Sequence, residues 1–106
     1  MRNRYLIGLG SSHQRAEQYI DLATTRISQI RNLSLLSQSD SERSGGVGTS
    51  DPLAFINKVV LVETSLAVTA LWFELRAIET KLGRIRMMVN GPRTIDLDLL
   101  PLDRVF

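Results

Sequence analysis

The sequence predicts an α+β domain of the ferredoxin-like class, a βαββαβ sandwich in which two helices cover one face of an antiparallel sheet. Two segments repeat apolar residues at three- and four-residue steps, which is typical of amphipathic helices. Shorter apolar segments surround them and have the length and composition of strands. A chain of 106 residues is sufficient for one such domain, so we assign residues 1–106 to a single unit.

The first half of the chain predicts a strand, a helix and a second strand. Residues 5–9 form a short apolar segment before Gly10, which indicates a buried strand that enters a tight turn. The Ser-Ser-His-Gln segment at 11–14 matches a capping box at a helix start. The apolar face of that helix consists of Ala16, Ile20, Ala23, Ile27 and Ile30. Leu33 and Leu35 then alternate with polar residues, as in a strand.

A polar segment from Ser37 to Ser50, rich in serine and glycine, predicts a long loop of the kind that is usually functional or disordered. Residues 53–63 predict the longest strand and a central position, because both of its faces are apolar. A second helix follows and ends at Gly83, and residues 95–100 predict the last strand. The apolar face of the second helix consists of Leu71, Leu75, Ile78 and Leu82.

Asp96 and Asp98 are separated by one residue within the last predicted strand. Side chains alternate along a strand, so both carboxylates point to one face while Ile95, Leu97 and Leu99 point to the other. Two like charges on a buried face repel each other and are costly to desolvate, and a hard cation between them removes both penalties. Their spacing of about 6.6 Å along the strand suits one or two Mg²⁺ ions that also hold phosphates. The alternative is an edge strand whose charged face is solvated.

Three arginines flank the two aspartates in sequence, namely Arg84, Arg86 and Arg93. Guanidinium groups bind phosphate oxygens in bidentate fashion, so arginines beside metal-binding carboxylates indicate a nucleoside triphosphate site. The alternative is that Arg84 and Arg86 complement the dipole at a helix C-terminus that Gly83 terminates. The two interpretations are compatible.

The same stretch resembles the signature of a known enzyme family. The motif Gly-Pro-Arg-Thr-Ile-Asp-Leu-Asp-Leu-Leu at 91–100, preceded by Gly-Arg-Ile-Arg at 83–86, is similar to that of the 6-hydroxymethyl-7,8-dihydropterin pyrophosphokinases (HPPK) of the folate pathway. Further matches are Tyr-Leu-Ile-Gly-Leu-Gly-Ser at 5–11, Phe-Ile-Asn at 55–57 and Glu-Thr-Ser-Leu at 63–66. The resemblance implies that ATP donates a pyrophosphoryl group to 6-hydroxymethyl-7,8-dihydropterin.

The resemblance also implies roles for charged residues. In the implied site, Mg²⁺ is bound by Asp96 and Asp98, charge on the transferring group is stabilised by Arg84, Arg86 and Arg93, and the nucleotide is contacted by Glu79, Arg84 and Arg93. For Glu79 the alternative is a surface ion pair with an arginine near Gly83.

Pterin recognition is assigned to Val47, Gly48, Phe55 and Asn57 by the same resemblance. The Asn57 amide offers a donor and an acceptor to the aminopyrimidinone edge of the pterin. Phe55 lies on the same strand face two residues earlier and could stack on the ring. The alternatives are a structural, hydrogen-bonded asparagine and a phenylalanine packed in the core.

The chain departs from the family pattern near its end. Family members continue beyond the Asp-x-Asp strand, whereas this sequence ends at Phe106, so we expect a short form without the family's C-terminal segment. The loop at residues 87–90 is short, and Asn90 stands where the family commonly has tryptophan. Because that loop closes over the substrates in the family, we expect slow turnover. The alternative is a non-catalytic pterin- or nucleotide-binding or interaction protein.

Composition argues against several other classes. A net charge of +2 is too small for a nucleic-acid footprint, and the paired exposed aromatics of an RNA-binding sheet are missing from the pattern. The absence of cysteine and the single histidine exclude thiolate sites and disfavour zinc. We find no apolar run of membrane-spanning length and no signal-peptide core, so we expect a cytoplasmic protein without nucleic-acid or membrane partners.

Overall fold

The computed structural model describes residues 2–12, 15–44, 55–83 and 95–100. In chain order, the elements are β1 (Asn3–Ser11), α1 (Ala16–Ser28), β2 (Leu33–Gln38), β3 (Glu42–Ser44), β4 (Phe55–Thr64), α2 (Val68–Lys81) and β5 (Asp96–Leu100). The five strands form one sheet with the order β2-β4-β1-β5, and β3 also pairs with β4. The predicted α+β class is confirmed.

β1 lies between β4 and β5 and is antiparallel to both. Its pairing with β4 runs from Asn3 opposite Thr64 to Ser11 opposite Ile56. The pairing with β5 covers residues 6–10 of β1. Backbone pairing on both sides therefore holds the residues from Leu6 to Gly10, and pairing with β4 continues to Ser11, past the predicted turn.

Gly10 does not form a turn, contrary to the sequence prediction. It pairs with Asn57 of β4 and Asp96 of β5, so it is an interior position of β1. The capping box is also wrong, because Ser11 belongs to β1 and α1 begins at Ala16 with Arg15 at its N-cap and no side-chain cap hydrogen bond. His13 and Gln14 of that box lie outside the described residues. In both cases sheet pairing overrides a local sequence signal.

The expected loop from Ser37 to Ser50 is partly wrong as well. β2 extends through Gln38, and Glu42–Ser44 form β3 along the same edge of β4. Ser39 joins the two strands, since its N–H donates to the Val59 carbonyl at 2.8 Å and its Oγ accepts from the Val59 N–H at 2.9 Å. Exposed polar residues can form strands when a neighbouring strand supplies their hydrogen bonds. Residues 45–50 lie outside the described ranges.

Both helices cover one face of the sheet and enclose a common core. The predicted apolar faces are confirmed for both helices. The described core consists of Ile7, Leu9, Ala16, Ile20, Ala23, Ile27, Ile30, Leu33, Ile56, Val60, Val62, Leu71, Leu75, Ile78, Leu82, Ile95 and Leu97. Gly83 ends α2 as predicted, with a left-handed φ of 94° that glycine adopts without strain. Neither described helix is long and apolar enough to cross a membrane.

Candidate functional site

The open face of the sheet, opposite the helices, brings the predicted pterin and metal residues together. Gly10 pairs with Asn57 on one side and with Asp96 on the other. Residues directly opposite one another in a ladder project to the same face, so these two side chains lie on either side of a bare glycine. Gly8 stands two residues earlier, between Val59 and Asp98, and repeats the arrangement.

A cavity of about 240 Å³ occupies this face. Its lining includes Gly8, Gly10, Phe55, Asn57, Asp96 and Asp98. Four of the sequence-predicted site residues therefore share one cavity, although Asp96 is separated from Asn57 by 39 positions in the chain.

The two glycines form the floor of the cavity, a function that sequence reasoning missed. A Cβ on Gly10 would lie 2.6 Å from Cε1 of Phe55 and 3.5 Å from Oδ1 of Asn57. The Phe55 ring therefore occupies the space that a side chain at position 10 would need. A Cβ on Gly8 would lie 3.3 Å from Cδ1 of Leu100. The signal available in the sequence was the Gly-x-Gly spacing inside a strand, which removes the side chains from one face.

Phe55 and Asn57 are half-buried residues on this face. Phe55 lies outside the buried core cluster, so the core-packing alternative does not describe its position. The Asn57 side chain faces the cavity and also has interactions within the protein, so its structural alternative is compatible with the geometry.

Asp96 and Asp98 are placed on β5 as the strand period predicts. Leu97 and Ile95 are fully buried toward the helices, whereas Asp96 is half-buried and Asp98 is exposed on the open face. β5 is the last strand in the described sheet order, so it is an edge strand of the described sheet, and Asp98 on its charged face is exposed. The edge-strand alternative and the metal-site interpretation are therefore both compatible with this geometry.

The donor set fits magnesium better than a softer metal. Within the described ranges no group of three or more His, Cys, Asp or Glu side chains is close enough to hold an ion. Asp96 and Asp98 alone would supply two carboxylates with no nitrogen or sulfur ligand. Mg²⁺ is usually bound by one or two carboxylates, with water and substrate phosphates completing its octahedron.

Glu79 is not a surface residue, so the alternative of a surface ion pair is wrong. Its exposed fraction is 1%. Its Oε2 accepts a hydrogen bond from the Leu97 backbone N–H at 2.8 Å, and its Oε1 lies 3.3 Å from Nε of Arg76. Arg76 also donates through Nη2 to the Leu97 carbonyl. Glu79 thus connects α2 to the strand that carries both aspartates, and its expected contact with the nucleotide remains a prediction.

Sequence reasoning also missed Arg76, which has no motif of its own. Its guanidinium lies 5.1 Å from the ring centroid of Trp72, close enough for a cation–π contact. Five predicted site residues, Val47, Gly48, Arg84, Arg86 and Arg93, lie outside the described residues.

Comparison with known proteins identifies the family. Residues 6–105 match the family model described as 7,8-dihydro-6-hydroxymethylpterin-pyrophosphokinase (HPPK). The chain belongs to the HPPK family. The predicted resemblance is therefore confirmed, and the match runs from Leu6 within β1 through the end of β5.

Curated HPPK relatives are similar to this chain over most of its length. Each of three is named 2-amino-4-hydroxy-6-hydroxymethyldihydropteridine pyrophosphokinase. The Haemophilus influenzae protein is 36% identical over 89% of this chain and 59% of its own length. The Pseudomonas aeruginosa protein is 34% identical over 94% of this chain and 62% of its own length. The Bacillus subtilis protein is 35% identical over 98% of this chain and 62% of its own length.

This chain therefore spans about three fifths of the length of these HPPK relatives, 59% and 62%. The family match at residues 6–105 contains β1 from Leu6 onward, the other described strands and both helices. It also contains both sides of the cavity on the open face.

Proposed function

We propose that this chain transfers a pyrophosphoryl group from ATP to 6-hydroxymethyl-7,8-dihydropterin. The observation that carries the proposal is the shared pairing of Asn57 and Asp96 with Gly10. That pairing puts an amide suited to a heterocycle and a carboxylate suited to a metal-bound phosphate on two sides of one cavity.

In the proposed reaction, the hydroxymethyl oxygen of the pterin attacks the β-phosphorus of ATP. The bond between that phosphorus and the oxygen bridging it to the α-phosphorus breaks, AMP leaves, and the hydroxyl proton passes to solvent. No general base is needed for this scheme, because positioning and electrostatic stabilisation account for most catalysis of phosphoryl transfer.

The pterin side of the site consists of Asn57, Phe55 and the glycine floor. Asn57 would bind the aminopyrimidinone edge through its donor and acceptor atoms. Phe55 would contact the ring, since an aromatic side chain at the cavity wall favours stacking with a planar heterocycle. Backbone groups at Val47 and Gly48 would complete the pocket, as the family resemblance implies.

The phosphate side consists of the two aspartates and the arginines of the family motif. Asp96 and Asp98 would hold Mg²⁺, which when bound neutralises phosphate oxygens and aligns them. Arg84, Arg86 and Arg93 would bind the transferring group and stabilise the charge that develops on it. Glu79 would lie near the nucleotide, as the family resemblance implies, on the α2 side of β5. A cytoplasmic location is part of this proposal, since the reaction consumes ATP.

The decisive experiment is an assay for AMP formation from ATP and 6-hydroxymethyl-7,8-dihydropterin with Mg²⁺ titrated. We expect AMP to appear only when the pterin and Mg²⁺ are both present. Asp21→Asn on the exposed surface of α1 is the matched control for Asp96→Asn, because it makes the same chemical change away from the cavity. AMP formation that is independent of the pterin would contradict the proposal.

A second outcome separates the alternative function. If the chain binds the pterin and Mg²⁺-ATP but forms no AMP, the non-catalytic binding protein considered from the sequence is favoured instead. Fluorescence titration of the pterin and calorimetry of Mg²⁺-ATP would distinguish these two outcomes from a protein that binds neither.

A further inference from the structure

Leu97 is the residue between the two aspartates, and both of its backbone polar groups are bound by side chains of α2. Its N–H donates to Oε2 of Glu79 at 2.8 Å. Its carbonyl accepts from Nη2 of Arg76. The Leu97 N–H belongs to the peptide that links it to Asp96, and its carbonyl belongs to the peptide that links it to Asp98. One carboxylate and one guanidinium therefore bind the two peptide units that connect the aspartates.

The opposite side of the strand is fixed by β1. Along an antiparallel ladder, successive residues direct their backbone groups alternately toward and away from the partner strand. Since the groups of Leu97 face α2, those of Asp96 and Asp98 face their partners on β1, Gly10 and Gly8. The segment from Asp96 to Asp98 is thus bonded on both sides, although it lies at the edge of the described sheet.

The two side chains that bind Leu97 are themselves held in place. Glu79 is almost fully buried, and its Oε1 lies 3.3 Å from Nε of Arg76. The Arg76 guanidinium rests against the Trp72 ring at 5.1 Å, and the Trp72 and Phe73 rings meet edge to face at 5.2 Å. A simple apolar contact would also cover an edge strand, but it would not fix the orientation of a peptide group. Oriented charged partners do fix it.

We propose that Arg76 and Glu79 are positioning residues, which set the separation of the Asp96 and Asp98 carboxylates by fixing the two peptide units of Leu97. The inference rests on the proposed function of the aspartates in binding metal and phosphate. Like charges on neighbouring positions of a free edge strand would move apart. The contacts from α2 oppose that movement from the helix side, without reaching the open face.

The test measures binding of Mg²⁺ with tripolyphosphate by calorimetry, because this ligand has phosphates but no base or ribose. Any change in its affinity therefore does not come from a lost contact with the nucleoside. Glu79→Leu removes the acceptor for the Leu97 N–H, and we expect it to weaken Mg²⁺-tripolyphosphate binding by about tenfold, as loss of one charge-assisted hydrogen bond would. Glu79→Gln keeps an oxygen for that N–H and should stay within about threefold of the wild type.

Glu74→Leu is the matched control, since it makes the same change on α2 at an exposed position. It should leave the affinity unchanged. Hydrogen exchange of the Leu97 amide is the second readout, and we expect faster exchange in Glu79→Leu and no change in the control. Faster exchange together with unchanged metal affinity would show a purely structural contact and overturn the inference.

Two further outcomes are informative. If Glu79→Leu weakens binding of Mg²⁺-ATP but not of Mg²⁺-tripolyphosphate, Glu79 contacts the nucleoside directly and the positioning role is wrong. If the wild type binds no Mg²⁺-tripolyphosphate and forms no AMP, the proposed function itself fails.

If Glu79→Leu does not fold, the same binding measurement is made on Arg76→Met. The Arg76 side chain is 29% exposed, and methionine can replace the packing of its aliphatic part, while the Glu79 carboxylate keeps the Leu97 N–H as a partner. The variant loses the donor to the Leu97 carbonyl and should weaken Mg²⁺-tripolyphosphate binding by at least about threefold. An affinity equal to that of the wild type would overturn the inference.

Discussion

The Glu79 carboxylate accepts a hydrogen bond from the Leu97 backbone N–H at 2.8 Å, so a helix side chain closes the outer edge of the strand that carries Asp96 and Asp98. An unpaired strand edge exposes backbone donors and acceptors that can recruit another chain. Here Glu79 and Arg76 occupy the groups of Leu97 that a further strand would use. The contact also explains why a charged residue is tolerated at a buried position of α2, since its oxygens meet a backbone donor and a guanidinium.

Side chains complete the hydrogen bonding on the other side of the sheet as well. Between β2 and β3, where the edge strand is interrupted, Ser39 bonds the N–H and the carbonyl of Val59 through its Oγ and N–H. The long strand β4 is therefore bonded at this point without a regular partner. The same strand continues to Phe55 and Asn57, which line the cavity.

We predict that the metal site depends on both aspartates. Asp96→Asn and Asp98→Asn should each weaken Mg²⁺-ATP binding by about tenfold or more. Substitution of residues that only hydrogen-bond to a metal ligand already costs about tenfold in metal affinity, so loss of a ligand should cost at least as much. The metal-free fold should be equally stable or slightly more stable, because repulsion between like charges falls. Calorimetry and denaturant unfolding check the two effects. Mg²⁺-ATP affinity equal to that of the Asp21→Asn control in both variants would remove the aspartates from the site.

We predict that pterin binding depends on Asn57. Asn57→Ala leaves the polar edge of the bound heterocycle without its partner, at a cost of about 1 to 3 kcal/mol. Pterin affinity should therefore fall roughly ten- to a hundredfold, as measured by fluorescence titration. Asn3→Ala, at the exposed start of β1, is the control and should bind like the wild type. Loss of folding in Asn57→Ala alone would instead favour the structural role.

We predict that the motif arginines affect rate more than ATP affinity. Arg86→Ala and Arg93→Ala remove charge that is needed most when the pyrophosphoryl group is in transfer, so kcat should fall more than Kd for ATP rises. AMP release at saturating substrate measures kcat, and calorimetry of Mg²⁺-ATP measures Kd. Arg26→Ala, on the exposed surface of α1, is the control. Equal losses in rate and affinity would assign these arginines to ground-state binding.

Periodic patterns predicted the parts of the fold that bury apolar surface. The face of α1 that contains Ile20 and Ile27 was predicted correctly, and so was the alternation of Asp96 and Asp98 with Leu97. Those patterns are visible because side-chain burial is what stabilises them. β3 has no such pattern, since it is held by backbone pairing with β4, and no window of local sequence contains both strands.

The site was predictable only where a motif marks it. Asp96, Asp98 and Asn57 were found through the strand period and the family resemblance, and the structure brings them to one face. Arg76 was missed because its contact with the site is a hydrogen bond to a backbone carbonyl 21 positions away, while its helical spacing to Trp72 and Glu79 is common on any helix surface. Gly10 was assigned to a turn, because local propensity does not reveal that two strands will pair with it.

The last prediction compares two glycines of the cavity floor. A Cβ on Gly10 would lie 2.6 Å from Cε1 of Phe55, a distance that forces the ring to move. Gly10→Ala should therefore displace Phe55, weaken pterin binding by roughly tenfold and cost about 1 to 3 kcal/mol of stability. At Gly8 the same methyl would lie 3.3 Å from Cδ1 of Leu100, the end of a flexible side chain.

Gly8→Ala is thus a matched control on the same strand and face, and its effect on pterin affinity should be clearly smaller. Fluorescence titration of the pterin and denaturant unfolding of both variants make the comparison. A further variant, Gly10→Ala with Phe55→Leu, removes the ring edge that the new methyl meets and should recover part of the lost stability. If the two single variants lose pterin affinity equally, displacement of the Phe55 ring does not explain the loss in Gly10→Ala. The two glycines would then affect pterin binding through their backbone alone.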